Sequence, residues 1–260
     1  AGAFFLHQPH EARADLSANS ATFRPAIGPD TLIVVEGSAT PGQLRPALNA
    51  LLAYDYHPLR LIAGRGVVLA NTVPHLLTAH LTGGLGLTSW LFLGADLPVV
   101  LYQGFDRATP IADVPNAPGS FGIGDIRLVG KARIINGSGG GLGLAFAPEV
   151  TFPSGKGLDL RGADAFGLHP RFALDYRFSG GHLLALNLGF FGRTSNQQVS
   201  NMLVASQFTF GVGGLWSLPR GFALLLDLAG SVAVQSAGAL YAPLEMHGAA
   251  RWTSPCGLQI

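Results

Sequence analysis

From Gly42 onward, apolar and polar residues alternate in one segment after another. In "HPRFALDYRF" (His169–Phe178) one phase reads His169, Arg171, Ala173, Asp175, Arg177 and the other Pro170, Phe172, Leu174, Tyr176, Phe178. A period of two is the signature of a β-strand whose two faces meet different surroundings. The same pattern sets Arg45, Asn49 and Asp55 against Leu48, Leu52, Tyr54 and Tyr56, and Asp96 against Leu93, Ala95, Leu97 and Val99. It sets Asp125, Arg127, Lys131 and Arg133 against Ile126, Leu128, Ala132 and Ile134, and Glu149 and Thr151 against Val150 and Phe152. Further along, Asn187 and Arg193 oppose Leu184, Leu186, Leu188 and Phe190. Asp227 and Ser231 oppose Leu224, Leu226, Leu228 and Val232, and Glu245, His247 and Arg251 oppose Leu244, Met246, Ala250 and Trp252.

These segments predict about ten strands, each of ~10–14 residues, whereas strands of soluble domains average about 5–6. Strands that cross a bilayer need about 9–11 residues when tilted. The connections alternate as well. Those near Thr88, Ser138, Gly180 and Pro219 are short, and Leu59–Asn71, Gln103–Phe121, Ser154–Ala165 and Thr194–Met202 are long, with a shorter one at Ser236–Leu240. Short turns on one side and long loops on the other are the wiring of an up-and-down outer-membrane barrel. The predicted fold is therefore all-β, an antiparallel up-and-down transmembrane β-barrel of 10–12 strands. Residues 42–253 form the barrel, 1–41 an irregular N-terminal arm read as a plug or a periplasmic segment, and 254–260 a C-terminal tail. Within the arm, "TLIVVE" (Thr31–Glu36) reads as a short strand.

Composition agrees with this picture. The chain is 48% hydrophobic and only 12% charged, against about 25% charged residues in an ordinary globular domain. Mean hydropathy is +0.35, yet no run of about 18 apolar residues suggests a membrane helix. A net charge of +1 argues against a nucleic-acid partner, and a single cysteine, Cys256, excludes an internal disulfide. On this reading the apolar phase faces outer-membrane lipid, and Tyr54, Tyr56, Trp90, Tyr102, Tyr176, Phe178, Trp216, Tyr241 and Trp252 form interfacial girdles. Pro98, Pro148, Pro153 and Pro170, within or at the ends of strands, predict local bulges or membrane-boundary positions.

The segments "LAYDYHPLRL", "GADLPVVLYQ", "GDIRLVGKARI", "EVTFPSG", "PRFALDYRF" and "APLEMHGAARW" resemble the N-terminal barrel of OmpA-family envelope proteins of myxobacterial type. They are also similar to outer-membrane channels of the phenol-degradation MetA-pathway type. The resemblance runs from about Gly42 to Trp252. It implies an outer-membrane barrel of about twelve strands, often followed by a peptidoglycan-binding domain. This chain departs from it in showing about ten clear strands and in ending on "CGLQI" rather than on an aromatic residue.

The inward phase carries the candidate chemistry: Arg127, Lys131, Arg133, Arg171, Arg177, Arg193 and Arg251, with Asp96, Glu149, Asp175, Asp227 and Glu245. The basic residues concentrate on the middle strands. A wall of cations in a pore selects anions, so the expected function is a narrow passive channel for small polar or anionic solutes. The alternative is a structural or partner-binding envelope barrel whose lumen is plugged by mutually paired charges. Neither cofactor nor metal is expected, because His80, His169 and His247 lie on strands far apart in order. No enzymatic constellation is expected either. Ser179 sits in the turn "FSGG", where backbone geometry alone accounts for Ser and Gly. The expected location is the bacterial outer membrane, with lipid and other envelope proteins as partners.

Overall fold

The computed structural model describes residues 23–29, 31–62, 68–106, 120–137, 139–194, 197–199, 202–204, 206–234 and 243–253. They fold into strands β1 (Pro46–Ile62), β2 (Val68–Gly86), β3 (Leu91–Gln103), β4 (Gly122–Ile123), β5 (Arg127–Ile135), β6 (Gly141–Phe146), β7 (Glu149–Thr151) and β8 (Gly167–His169). There follow β9 (Arg171–Arg177), β10 (Leu183–Arg193), β11 (Gln197–Val199), β12 (Met202–Val204), β13 (Gln207–Ser217), β14 (Phe222–Ala233) and β15 (Leu244–Trp252). The fold is all-β and antiparallel. Thirteen strands form one sheet, whose order β1-β2-β3-β5-β6-β9-β10-β13-β14-β15 is a meander, and β11 and β12 form a hairpin of their own.

Proline explains why some stretches count as two strands. A prolyl nitrogen cannot donate to the ladder. The assignment stops at Ala147–Pro148 between β6 and β7 and at Pro170 between β8 and β9, and on each side the same neighbours resume. Pro98 remains inside β3, where the neighbouring chain passes from β4 to β5 and only Gly124 bonds to it, N–H to the Pro98 carbonyl at 2.9 Å.

The sheet is inside-out relative to a soluble protein. Along β3 the buried positions include Phe92, Asp96, Pro98 and Val100, while Leu93, Leu101 and Tyr102 are exposed. Along β14, Leu224 and Leu226 are about half exposed and Asp227 is completely buried. Lys131, Glu149 and Asp175 are buried too, while Leu184, Leu188, Phe172, Phe208, Trp216 and Met246 are exposed. Contiguous exposed apolar surface beyond a few hundred Å² marks an interaction or membrane surface. Here it is the rule on one whole face.

The other face curls around the chain's own residues 23–29 and 31–40, which carry no regular structure. Ile27 packs with Phe92 and Val129; Leu32 and Val35 pack with Leu183, Leu215 and Leu225. Phe23 touches His80 on β2 and His247 on β15, near opposite ends of the strand order. Among the described residues, strand pairing runs from β1 to β15 without a ladder returning from β15 to β1.

Two expectations are corrected. Thr31–Glu36 is not a strand, because the N–H groups of Ile33, Val34 and Val35 converge on one carboxylate oxygen of Asp227, which a straight ladder does not permit. Leu59–Asn71 is mostly strand rather than loop, since β1 and β2 extend through Ile62 and from Val68. Register shifts after Tyr56, Leu59 and Leu61 break the period of two there. Ser138, Tyr241, Ser236–Leu240 and residues 254–260 lie outside the described residues.

The long loop 154–165 folds back over its end of the sheet. Leu160 packs with Val73, Leu76 and Val100, and the buried Asp125 carboxylate accepts N–H groups from Gly155 and Ala163 at 3.1 and 2.8 Å. At the other end, Arg220 and Gly221 take φ of 63° and 81°, closing the β13–β14 turn with Leu218 N–H on the Phe222 carbonyl at 2.7 Å.

Candidate functional site

The site is the enclosed face together with the segment that fills it. Alternation points one residue of each pair inward, and cross-strand register decides which inward residues meet. Asp96 faces Arg127 directly, and Glu149 faces His169. Arg127 donates Nε and Nη2 to Asp96 Oδ2 at 3.0 and 2.7 Å and Nη1 to Glu149 Oε2 at 3.2 Å. Arg171 reaches Glu149 at 3.1 Å and Glu36 at 2.7 Å, and Lys131 reaches the other Glu36 oxygen at 3.0 Å. His80 Nδ1 lies 3.1 Å from Asp96. Arg24 donates to Thr151 at 2.6 Å and lies 3.6 Å from Glu149. Arg24 and Arg193 also stack on Phe191, each 4.6 Å from its centroid.

This is one connected network, because a buried charge is tolerated only when it is paired and hydrogen-bonded. Burial alone raises the Glu36 carboxyl, but Arg171 and Lys131 more than reverse that, leaving it below the usual carboxylate range and ionised at neutral pH. Enclosure lowers the Arg24 guanidinium to about 10; Glu149 opposes the shift, and Arg127, Arg193 and Arg171 add to it.

The inserted segment is held largely through its backbone. Asp227 Oδ2 accepts three successive N–H groups, from Ile33, Val34 and Val35, at 2.8, 2.8 and 3.0 Å. Such a nest of N–H groups is a built anion cradle, and here the anion is the protein's own side chain. Asn187 bonds Glu36 both ways, accepting its N–H at 2.7 Å and donating to its carbonyl at 2.8 Å. Asp175 accepts the Ser38 N–H at 2.5 Å, Lys131 donates to the Gly37 carbonyl at 3.2 Å, Arg127 to Pro25 at 2.9 Å and Arg251 to Thr31 at 3.2 Å.

Glycines on the inner face make room for it. A Cβ on Gly213 would stand 2.6 Å from Asp227 Oδ1 and 2.7 Å from Leu32 Cδ1, and one on Gly143 would strike Ser38 and Asp175. Overpacking of this kind costs about 1–3 kcal/mol. We therefore expect Gly213→Val to loosen residues 23–40 while the sheet persists. Limited proteolysis should cut within that segment at least about tenfold faster than in the parent, a factor worth ~1.4 kcal/mol.

Of the expected lining residues, Asp96, Arg127, Lys131, Glu149, Arg171, Asp175 and Asp227 are buried inside, and Arg177, Arg193 and Arg251 are half-buried. Arg133 lies at the short-turn end, bonded to the Ser89 carbonyl at 2.5 Å, and Glu245 is 48% exposed on β15, 3.6 Å from His247. Of the basic residues on the middle strands, Arg127, Lys131 and Arg171 are paired with Asp96, Glu149 and Glu36, while Arg133 bonds a carbonyl and Arg193 stacks on Phe191. His182 Nδ1 accepts the Ser217 N–H at 3.1 Å, and Ser179 is exposed in its turn. Sequence reasoning missed Arg24, Glu36, Thr151 and Asn187 as members of the site. The signal for a filled interior was present in the inward glycines Gly143, Gly211 and Gly213, which leave that face without side chains.

No protein-family model matches the chain, and no curated protein matches it.

Proposed function

We propose that the chain is a bacterial outer-membrane β-barrel enclosing a narrow passage for small polar or anionic solutes, held shut by its own residues 23–40. The observation that carries this reading is the inversion of the sheet. An apolar face rich in Leu, Phe, Tyr and Trp surrounds a buried ionic network, and the space inside is occupied by a segment of the same chain. Water is the wrong solvent for that outer face and lipid the right one. In lipid an unpaired strand edge is costly, so β1 and β15 close on one another; the Phe23 contacts to both β2 and β15 support that closure. The short turns then lie on the periplasmic side and the long loops outside. The resemblance to OmpA-family barrels and MetA-pathway channels points the same way.

A structural or partner-binding barrel is the second reading. It is favoured by the second closure at the long-loop end, where Leu160 and its loop cover the interior. Planar-bilayer conductance separates the two. The refolded chain should insert and stay electrically silent, and discrete steps should appear once the inserted segment is displaced by mutation. Silence in both states would favour the structural reading.

A further inference from the structure

Beside the inserted segment is a cavity of about 160 Å³, between Val34 and Val35 on one side and the inner faces of β13 and β14 on the other. At its polar end stand Arg24, His169, Arg171 and Thr209. Small residues, Gly211, Ala229 and Ser231, form part of its wall. His169 and Arg171 are each more than nine-tenths buried, and each has a ring or guanidinium nitrogen, Nδ1 and Nε respectively, with no hydrogen-bond partner. An arginine Nε–H is a permanent donor, and leaving a buried donor unmatched is unfavourable. The ionic network beside the cavity sets the cations Arg24, Arg127, Lys131 and Arg171 against the carboxylates of Glu36, Asp96 and Glu149. Within those arginine, lysine and carboxylate pairs, the cations outnumber the carboxylates by one. Arg24, the most loosely paired, lines the cavity. Glu245 also lines the cavity and is half exposed.

We propose that this cavity is a binding site for a small organic monocarboxylate, its carboxylate held by Arg24, Arg171 and His169 and its apolar body lying against Val34 and Ala229. The guanidiniums of Arg24 and Arg171 favour an anion over a neutral molecule. The volume selects a body of about six carbons, since a cavity of roughly 150 Å³ holds benzene. A carboxylate, with its two oxygens, matches the fork of a guanidinium. The inference deepens the channel reading by naming a solute class.

The test uses the full chain refolded in detergent micelles, titrated with cyclohexanecarboxylate and followed by calorimetry. It needs no bilayer, so a silent or leaky barrel does not bear on its outcome. We expect saturable 1:1 binding, no competition from cyclohexanecarboxamide, a tenfold or greater loss in Arg24→Gln, and loss of binding in Ala229→Leu, which fills the cavity. Either variant is scored only if its circular dichroism matches the parent; the carboxylate-against-carboxamide comparison on the parent chain stands without them. No saturable binding to the parent, equal binding of the carboxamide, or binding indifferent to both folded variants would overturn the proposal.

Discussion

Leu226→Arg should destabilise the folded protein in phosphatidylcholine vesicles by about 2–4 kcal/mol, the range for a cation placed on the lipid face of a barrel near mid-bilayer. Leu226 lies in the middle of β14, opposite Gly214 and Gly248 in the flanking strands, and is 46% exposed. On the surface of a soluble protein the same change would be worth no more than about 0.5 kcal/mol either way. An effect of that size is what lipid around this face would produce, since arginine there would meet no water. Urea-induced unfolding in vesicles, read by tryptophan emission of Trp90, Trp216 and Trp252, measures it. A loss below about 0.5 kcal/mol would place this face in water and remove the membrane from the account.

One residue along the strand, Asp227→Ala should act in the opposite compartment. Its carboxylate is fully buried and receives the N–H groups of Ile33, Val34 and Val35. Each buried donor left unmatched costs about 1–3 kcal/mol, and water entering the gap returns part of that. Docking of residues 23–40 should weaken by at least about a hundredfold, or ~2.7 kcal/mol. In a planar bilayer the silent parent should become a barrel with discrete current steps, and proteolysis within the segment should accelerate in parallel. Asp227→Asn retains an acceptor oxygen and should recover most of the parent's silence. If Asp227→Ala inserts, folds and remains protease-resistant in that segment, the nest is not what holds it.

These two neighbours also show how much the sequence discloses. That Leu226 and Asp227 face opposite ways follows from alternation alone, as does the all-β antiparallel meander. Both depend on local periodicity, which every strand repeats. The arm is a different case. Its anchors are backbone N–H groups, which every residue except proline possesses, so nothing in "TLIVVEGSA" marks which side chain will receive them. The bond from Val34 to Asp227 joins residues 193 positions apart. The ion pairs were legible as charges but not as partners. Asp96 with Arg127 requires the β3–β5 register, and Glu36 with Arg171 requires the arm to be inside. The far end of the β1–β2 hairpin, Leu59–Asn71, was hidden for a third reason: bulges there break the alternation that identifies a strand, and His57 takes a positive φ of 53°.

Spin labelling along β14 in lipid vesicles decides whether its apolar face meets lipid. Labels placed singly at positions 223 to 229 report collisions with oxygen, which concentrates in lipid, and with a water-soluble nickel chelate. A period of two is expected: 224, 226 and 228 reached by oxygen and shielded from nickel, and 223, 225, 227 and 229 shielded from oxygen. Nickel access at 224, 226 and 228 equal to that of a soluble surface would contradict it.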